Sequence, residues 1–427
     1  MPAEKRVSLL VLIIVVGFFA GVAYHYALGT YFERGWPANT FLFKPWDRFG
    51  DFTKVVDQSS GLDPFGAGGD GFAGSPFGQM VGYLFSVIRP ASLRLPLFLG
   101  SFFVALILMV KHGLYGLKSR LASGQWLALF AIVFLTYPVL FAADRANFDL
   151  MVLPCLFLFA LAYSRQRYKS STIFLGMAMA LKPYAAVFIM VYIFDRRYRD
   201  TLIVFFNAAL LSTVSLALFK GGLLDEARKY FELLWHMGND PSFGSDLAYT
   251  SDLFSLLTVV TRSVADALGL GPVDLLEHSN VKLGYGILAA ALAVYLAVHL
   301  WQNPQPRWKT MTVLTTLIIL LPFSSHDYRL IYLFVPMLMY LSADETARRD
   351  PVIVTIWGLL LVPKDYYHLG PIQSISMIIN PVLLIGLLRY VVPEAFSARG
   401  IRSSLRLAVS RLRFTGQSGK LENPRSS

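Results

Sequence analysis

One cysteine, Cys155, stands among 427 residues, so the chain can close no internal disulfide and build no thiolate metal site. Charge is also scarce. Asp, Glu, Lys and Arg make up 15% of the residues against 55% hydrophobic, a balance that points away from a soluble domain. No repeat of fixed period is visible, and His, Asp and Glu form no recognisable metal-ligand spacing. The glycine-rich run GAGGDGFAG (66–74) follows no strand and leads into no Lys-Ser/Thr pair, which argues against a phosphate-cradling nucleotide loop.

What the chain has instead is long apolar runs broken by short charged segments. Runs of this length read as membrane spans. Spans are expected near 7–28, 92–112, 124–142, 148–164, 200–219, 281–301, 309–323, 328–342, 351–363 and 371–391. The fold class is therefore an all-α polytopic membrane protein with about 10 to 12 transmembrane helices. The first run follows Lys5 and Arg6 but lacks a small-x-small cleavage site, and reads as an uncleaved first helix.

A net charge of +11 raises the question of nucleic acid. With both termini placed in the cytoplasm, basic residues gather in the inside segments, so the charge is an orientation signal. No nucleic-acid partner is implied. Residues 1–391 form a single transmembrane domain, and 392–427 form a basic, disordered cytoplasmic tail. Its Arg399, Arg402, Arg406, Arg411 and Arg413 suit contact with anionic membrane lipids. The expected location is the bacterial inner membrane. Oligomeric state stays open, because lipid-facing and subunit-facing apolar surfaces look alike in composition.

Residues 171–194 are long enough to cross, yet Arg165, Arg167 and Lys169 precede them and Arg196, Arg197 and Arg199 follow. Lys182-Pro183 lies in the middle, where proline removes a backbone donor and disfavours helix in the residue before it. The pattern predicts a broken half-helix pair over 171–194, entering and returning on one side with Lys182 at its apex. Residues 76–90 are short and predict a re-entrant or surface helix. Two outer loops are long, 29–75 and 220–280. The second carries two amphipathic stretches, 223–236 and 253–268, with Ser251 or Asp252 placed to cap the latter.

Polar residues at the outer ends of the spans mark where chemistry belongs, since ionisable groups at membrane depth are costly. They are Asp47, Asp51 and Asp57 in the first loop, Asp144, Arg145, Asn147 and Asp149 in the next turn, Lys182, and the run Ser324 to Arg329 with His326 and Tyr328. Each has a bland reading: short turns must be hydrophilic, and Arg329 and Lys364 could reach headgroups. Cations opposite one carboxylate fit a lipid-linked donor in which a sugar is joined to phosphate. Arg145, Lys182, His326 and Arg329 would grip the phosphate. A carboxylate would take the acceptor hydroxyl's proton. A second carboxyl is needed to protonate an alkoxide leaving group, whereas phosphate leaves as a stable anion.

These residues resemble the GT-C superfamily of polytopic glycosyltransferases and, within it, glycosyltransferase family 87, which uses polyprenol-phosphate-mannose. GDFTKVVDQSSGLDPF (50–65) resembles the family's first-loop pattern, with Asp51 at the position of its catalytic base. DRANFDLMVL (144–153) resembles its Gly-Asn-x-Asp turn, with Ala146 in place of glycine. ALKPYAAVFI (180–189) is similar to its Lys-Pro segment, and LPFSSHDYRLIYLFVPML (321–338) to its late Pro-Ser-x-x-His region. The resemblance implies inverting transfer from a polyprenyl-phosphate sugar, most commonly mannose, to a lipid or glycan acceptor on the extracytoplasmic face. It needs no metal or other cofactor. It implies donor-phosphate roles for Lys182 and His326 and for Arg145, with Asn147, Tyr328 and Arg329 beside them and Asp47, Asp57 and Asp144 as secondary candidates. The chain departs from the pattern at Val55-Val56, where a tyrosine is common. A transporter or flippase of lipid-linked sugars is the competing reading, but it expects two related halves and none are visible. A polysaccharide polymerase or ligase would rely on arginines of the outer loop, and 220–280 is net acidic.

Overall fold

A computed structural model describes residues 1–66, 74–113, 125–239, 249–269, 279–343, 350–366 and 374–397. The basic tail from 398 onward and most of the glycine run at 66–74 lie outside them. Among the described residues there is no strand, and one isolated bridge joins Thr250 to His326. The α-helices in order are α1 (Ala3–Thr30), α2 (Gly50–Ser59), α3 (Pro76–Ser86), α4 (Arg94–Gly113), α5 (Gln125–Phe134), α6 (Tyr137–Arg145), α7 (Asp149–Ser164), α8 (Tyr168–Leu181), α9 (Met190–Phe194), α10 (Tyr198–Leu218), α11 (Gly222–Asn239), α12 (Leu253–Ala267), α13 (Ser279–Gln302), α14 (Arg307–Leu320), α15 (Phe334–Leu341), α16 (Asp350–Leu361) and α17 (Ser376–Val391).

Four of them, α1, α4, α10 and α13, are long and apolar enough to cross a membrane. The other expected spans fall on shorter helices or on pieces of helix. The run 124–142 divides into α5 and α6, because Pro138 near the start of α6 has no N–H for the carbonyl four residues back. Thr136, in the gap between the two helices, donates its hydroxyl to the Ile132 carbonyl at 3.0 Å. The run 328–342 divides into a 3-10 turn, Asp327–Leu333, and α15.

The expected break at Lys182 is present. α8 ends at Leu181, Lys182 is extended (φ −145°, ψ 111°), and a 3-10 turn, Pro183–Ile189, leads into α9. The returning arm comes back to where α7 ended, since the Tyr163 hydroxyl donates to Asp195 Oδ2 at 2.5 Å. α7, the two arms and α10 thus form one packed unit. Gly176 permits it: a Cβ there would sit 2.6 Å from Asn207 Cβ on α10, so only a small residue allows this approach.

Residues 76–86 form α3 as a short helix, started by the Ser75 hydroxyl accepting from Gly78 N. Both amphipathic stretches are helices, and Asp252 is the cap of α12, accepting from Ser255 N at 2.7 Å. α11 has a packed side and an exposed apolar side. Ala227, Tyr230 and Leu233 pack on Phe65, Leu216 and Phe219, and the buried Glu226 pairs with Lys229, which also holds Asp63 at 3.0 Å. Leu224, Phe231 and Trp235 face outward. Lys364 does not reach for headgroups. Its ammonium is buried and donates to the Leu359 and Val362 carbonyls at 2.6 and 2.9 Å, which closes the end of α16 where a cation is favoured.

Candidate active site

The site grows from two short backbone reversals. Phe49 (φ 58°) precedes α2, and Ala146 (φ 47°, ψ 45°) follows α6. Both are left-handed, a region that costs a residue with a Cβ roughly 1–2 kcal/mol. The two reversals are tied together: Phe49 N donates to the Asp144 carbonyl at 2.7 Å. This brings the first turn of α2 against the last turn of α6, and Asp51 against Arg145.

Asp51 is buried, with one carboxylate oxygen on Arg145 Nη2 and the other 2.5 Å from Asn147 Nδ2. The Asn147 carbonyl oxygen accepts from Asp149 N at 2.8 Å. One amide therefore starts α7 and holds the carboxylate, and its orientation follows from partners of opposite kind. Arg145 also donates to Asp47 Oδ2 at 2.6 Å and lies over the Phe43 ring at 4.2 Å. Asp47 lies outside α2; it ends a 3-10 turn, Pro45–Asp47, and is joined to Asp51 through Arg145.

Asp144 faces the loop. Its oxygens accept from Phe43 N and Arg48 Nε at 3.2 and 3.1 Å, and burial pushes its carboxyl upward against the pull of Arg48. It fastens the loop to α6. Asp57 is exposed on the other side of α2 and does not join the cluster.

A second group lies across the site. Lys182 Nζ is 3.7 Å from Asp149 Oδ1, and the Tyr184 hydroxyl donates to the same oxygen at 2.5 Å. Because Tyr184 gives its proton to Asp149, Tyr332, 2.8 Å away, must donate to Tyr184. Arg329 stacks over the Tyr184 ring at 4.8 Å and donates to the Ser324 carbonyl at 3.1 Å. Its Nε and Asp149 Oδ2 are buried without a hydrogen-bond partner among the described residues. Tyr328 stacks on Phe141 of α6 at 6.1 Å and packs against His326 at 5.4 Å.

The turn bearing His326 is held from behind. Asp327 accepts from Ser251, from Tyr137 at 3.1 Å and from Asn380 at 3.2 Å. Asp252 Oδ2 accepts from Ser325 N at 2.8 Å. Burial raises the Asp252 carboxyl to about 6, its backbone hydrogen bonds pulling the other way.

The structure thus joins Asp51, Asp47, Arg145 and Asn147 in one group. Lys182 is linked to them through Asp149, Arg329 packs on Tyr184 and His326 on Tyr328, and Asp57 is left out. Sequence reasoning named Asp149 among the polar residues of its turn without giving it a role, and did not single out Tyr184 and Tyr332. Asp149 lay in the quoted turn and Tyr184 next to the Lys-Pro pair, but nothing in the one-dimensional order joins them to Tyr332.

A family model, glycosyltransferase family 87, matches residues 72–324. No curated protein matches the chain. The matched stretch carries Arg145, Asn147, Asp149 and Lys182; Asp51 lies before it, and His326, Tyr328 and Arg329 just after. The match covers more than half of the sequence, and the apolar helices agree with an integral membrane protein. The chain belongs to glycosyltransferase family 87.

Proposed function

We propose that this membrane glycosyltransferase moves a sugar, mannose as the commonest donor sugar of the family, from a polyprenyl-phosphate carrier to a hydroxyl of a lipid or glycan acceptor. The transfer inverts the anomeric centre and takes place on the extracytoplasmic face, with the termini in the cytoplasm. The observation that carries the reading is a buried carboxylate fixed by two donors, linked through Asn147 and Asp149 to a loosely held cation, Lys182. Each Asp51 oxygen has a second lone pair free of its Arg145 or Asn147 bond, so the carboxylate can accept the acceptor's proton without leaving its clamp. The acceptor oxygen then bonds to the anomeric carbon as the bond to the phosphate oxygen breaks.

As that bond breaks, the carrier phosphate gains a negative charge that must be met by preorganised donors. Arg145 is committed to two carboxylates. Lys182 is held less tightly, with one contact at 3.7 Å and a quarter of its side chain exposed (24%). Lys182 is therefore the cation that turns to the phosphate, with Arg329 and His326 beside it, and Asp149 is its partner within the chain. Arg145 acts on the base side of the reaction. The reading employs side-chain cations and no metal. Incubating membranes that contain the protein with labelled polyprenyl-phosphate sugars tests it. Label must move to a lipid or glycan acceptor; label that stays on the carrier with every sugar tried refutes the reading.

A further inference from the structure

At the end of the helical unit remote from Asp51 lies a separate cavity of about 200 Å³. α7 separates the two sites: its first residue, Asp149, belongs to the candidate active site, and its last turn lines the cavity. The helix is 16 residues long, about 24 Å. The walls come from α7, α9, the end of α13 and the start of α14, and include Phe159, Phe194, Leu300 and Met311. This apolar lining carries two charges of opposite sign. Asp195 gives one carboxylate oxygen to the Tyr163 hydroxyl at 2.5 Å, while the other accepts no hydrogen bond among the described residues. Arg307 spends Nη1 on the Ser164 and Tyr163 carbonyls at 3.0 and 3.5 Å. The guanidinium lies over the Tyr163 ring at 5.3 Å, and its Nε and Nη2 make no hydrogen bond among the described residues, so a planar pair of donors remains available.

We infer that this cavity binds the headgroup of a zwitterionic phospholipid bearing a primary ammonium, with the phosphate on Arg307 and the ammonium on Asp195. A headgroup with both charges satisfies both side chains at once, whereas a purely anionic one would meet the Asp195 carboxylate. The apolar walls suit the glycerol and the upper acyl chains. The two charges do not pair with each other, so binding breaks no internal salt bridge. Asp195 also ends the returning arm that begins at Lys182, so the lipid would steady that arm from its far end.

Native mass spectrometry of the full-length protein in detergent, titrated with phosphatidylethanolamine, phosphatidylcholine and phosphatidylglycerol, tests the inference. Phosphatidylcholine carries a quaternary nitrogen with no N–H to donate. Phosphatidylethanolamine is expected to bind about tenfold more tightly than phosphatidylcholine, the scale of one charge-assisted hydrogen bond. Asp195→Asn, which keeps an acceptor for Tyr163, should erase that preference and strengthen phosphatidylglycerol binding. Arg307→Gln should weaken all three. Soluble phosphoethanolamine at equal concentration should not displace the lipid. Equal binding of the ethanolamine and choline lipids by the unaltered protein overturns the inference, even if a variant fails to fold. So does a preference that survives Asp195→Asn, or displacement by soluble phosphoethanolamine.

Discussion

Asn147 Nδ2 lies 2.5 Å from Asp51 Oδ2 while the same side chain's oxygen accepts the Asp149 amide at 2.8 Å. The catalytic carboxylate proposed here is thus held by the residue that starts α7, and α7 carries the counter-ion of Lys182. Substituting Asn147 with Ala removes one hydrogen bond to a charged group, worth roughly 1.5–3 kcal/mol. The turnover rate is expected to fall about 10- to 100-fold while donor affinity changes little. Steady-state kinetics separate the two. A change confined to donor KM would place Asn147 on the donor instead.

Lys182 and Arg145 should fail in different ways. Lys182→Ala is expected to weaken binding of the polyprenyl-phosphate sugar by about tenfold or more, with Lys182→Arg partly restoring it. Arg145→Lys replaces a fork that reaches Asp47 and Asp51 together with a single point charge, and should lower the rate with little effect on donor binding. Donor titration of the two variants side by side checks the division. Unchanged affinity in Lys182→Ala removes that residue from the phosphate.

Ala146 occupies a left-handed position, φ 47°, where glycine has no steric cost. This is a physical reason for the glycine at the matching place in the family's turn. Ala146→Gly should retain activity and raise stability by up to about 1 kcal/mol, the strain relieved less the added chain entropy. Thermal unfolding in detergent measures it. A marked loss of stability would mean that packing of the buried methyl outweighs the strain.

Asp252 supplies a pH dependence. Its carboxyl is raised from 3.8 to about 6 in the fold, so between those values the folded chain holds a proton that the unfolded chain has released. Stability from this group is full below the unfolded value and is lost as pH rises through about 6. The unfolding midpoint is expected to carry a falling component from pH 4 to 6, absent in Asp252→Ala. That variant should also raise donor KM, because Asp252 anchors Ser325 beside His326. A pH profile identical in the two proteins would contradict this assignment.

The features legible in the sequence are those written in local chemistry. The break at Lys182 follows from a proline without an N–H, and the cap of α12 from an acidic side chain ahead of an apolar helix. Asp51, Arg145 and Lys182 were legible as polar groups at the ends of apolar runs. Their partnership was only partly so. The sequence suggested Arg145 as a phosphate ligand, whereas the fold commits it to Asp47 and Asp51, because two left-handed residues fold α2 onto α6. Helix continuity was less legible: the apolar run of 19 residues, 124–142, is divided at Pro138 into two helical pieces.

The most direct test of the account is sugar transfer by purified Asp51→Asn protein, measured with donor binding on the same preparation. The amide keeps the size of the side chain but cannot take the acceptor's proton. Transfer should fall by a factor on the order of 10³, with donor binding and the unfolding midpoint retained. Transfer at an undiminished rate would contradict the account.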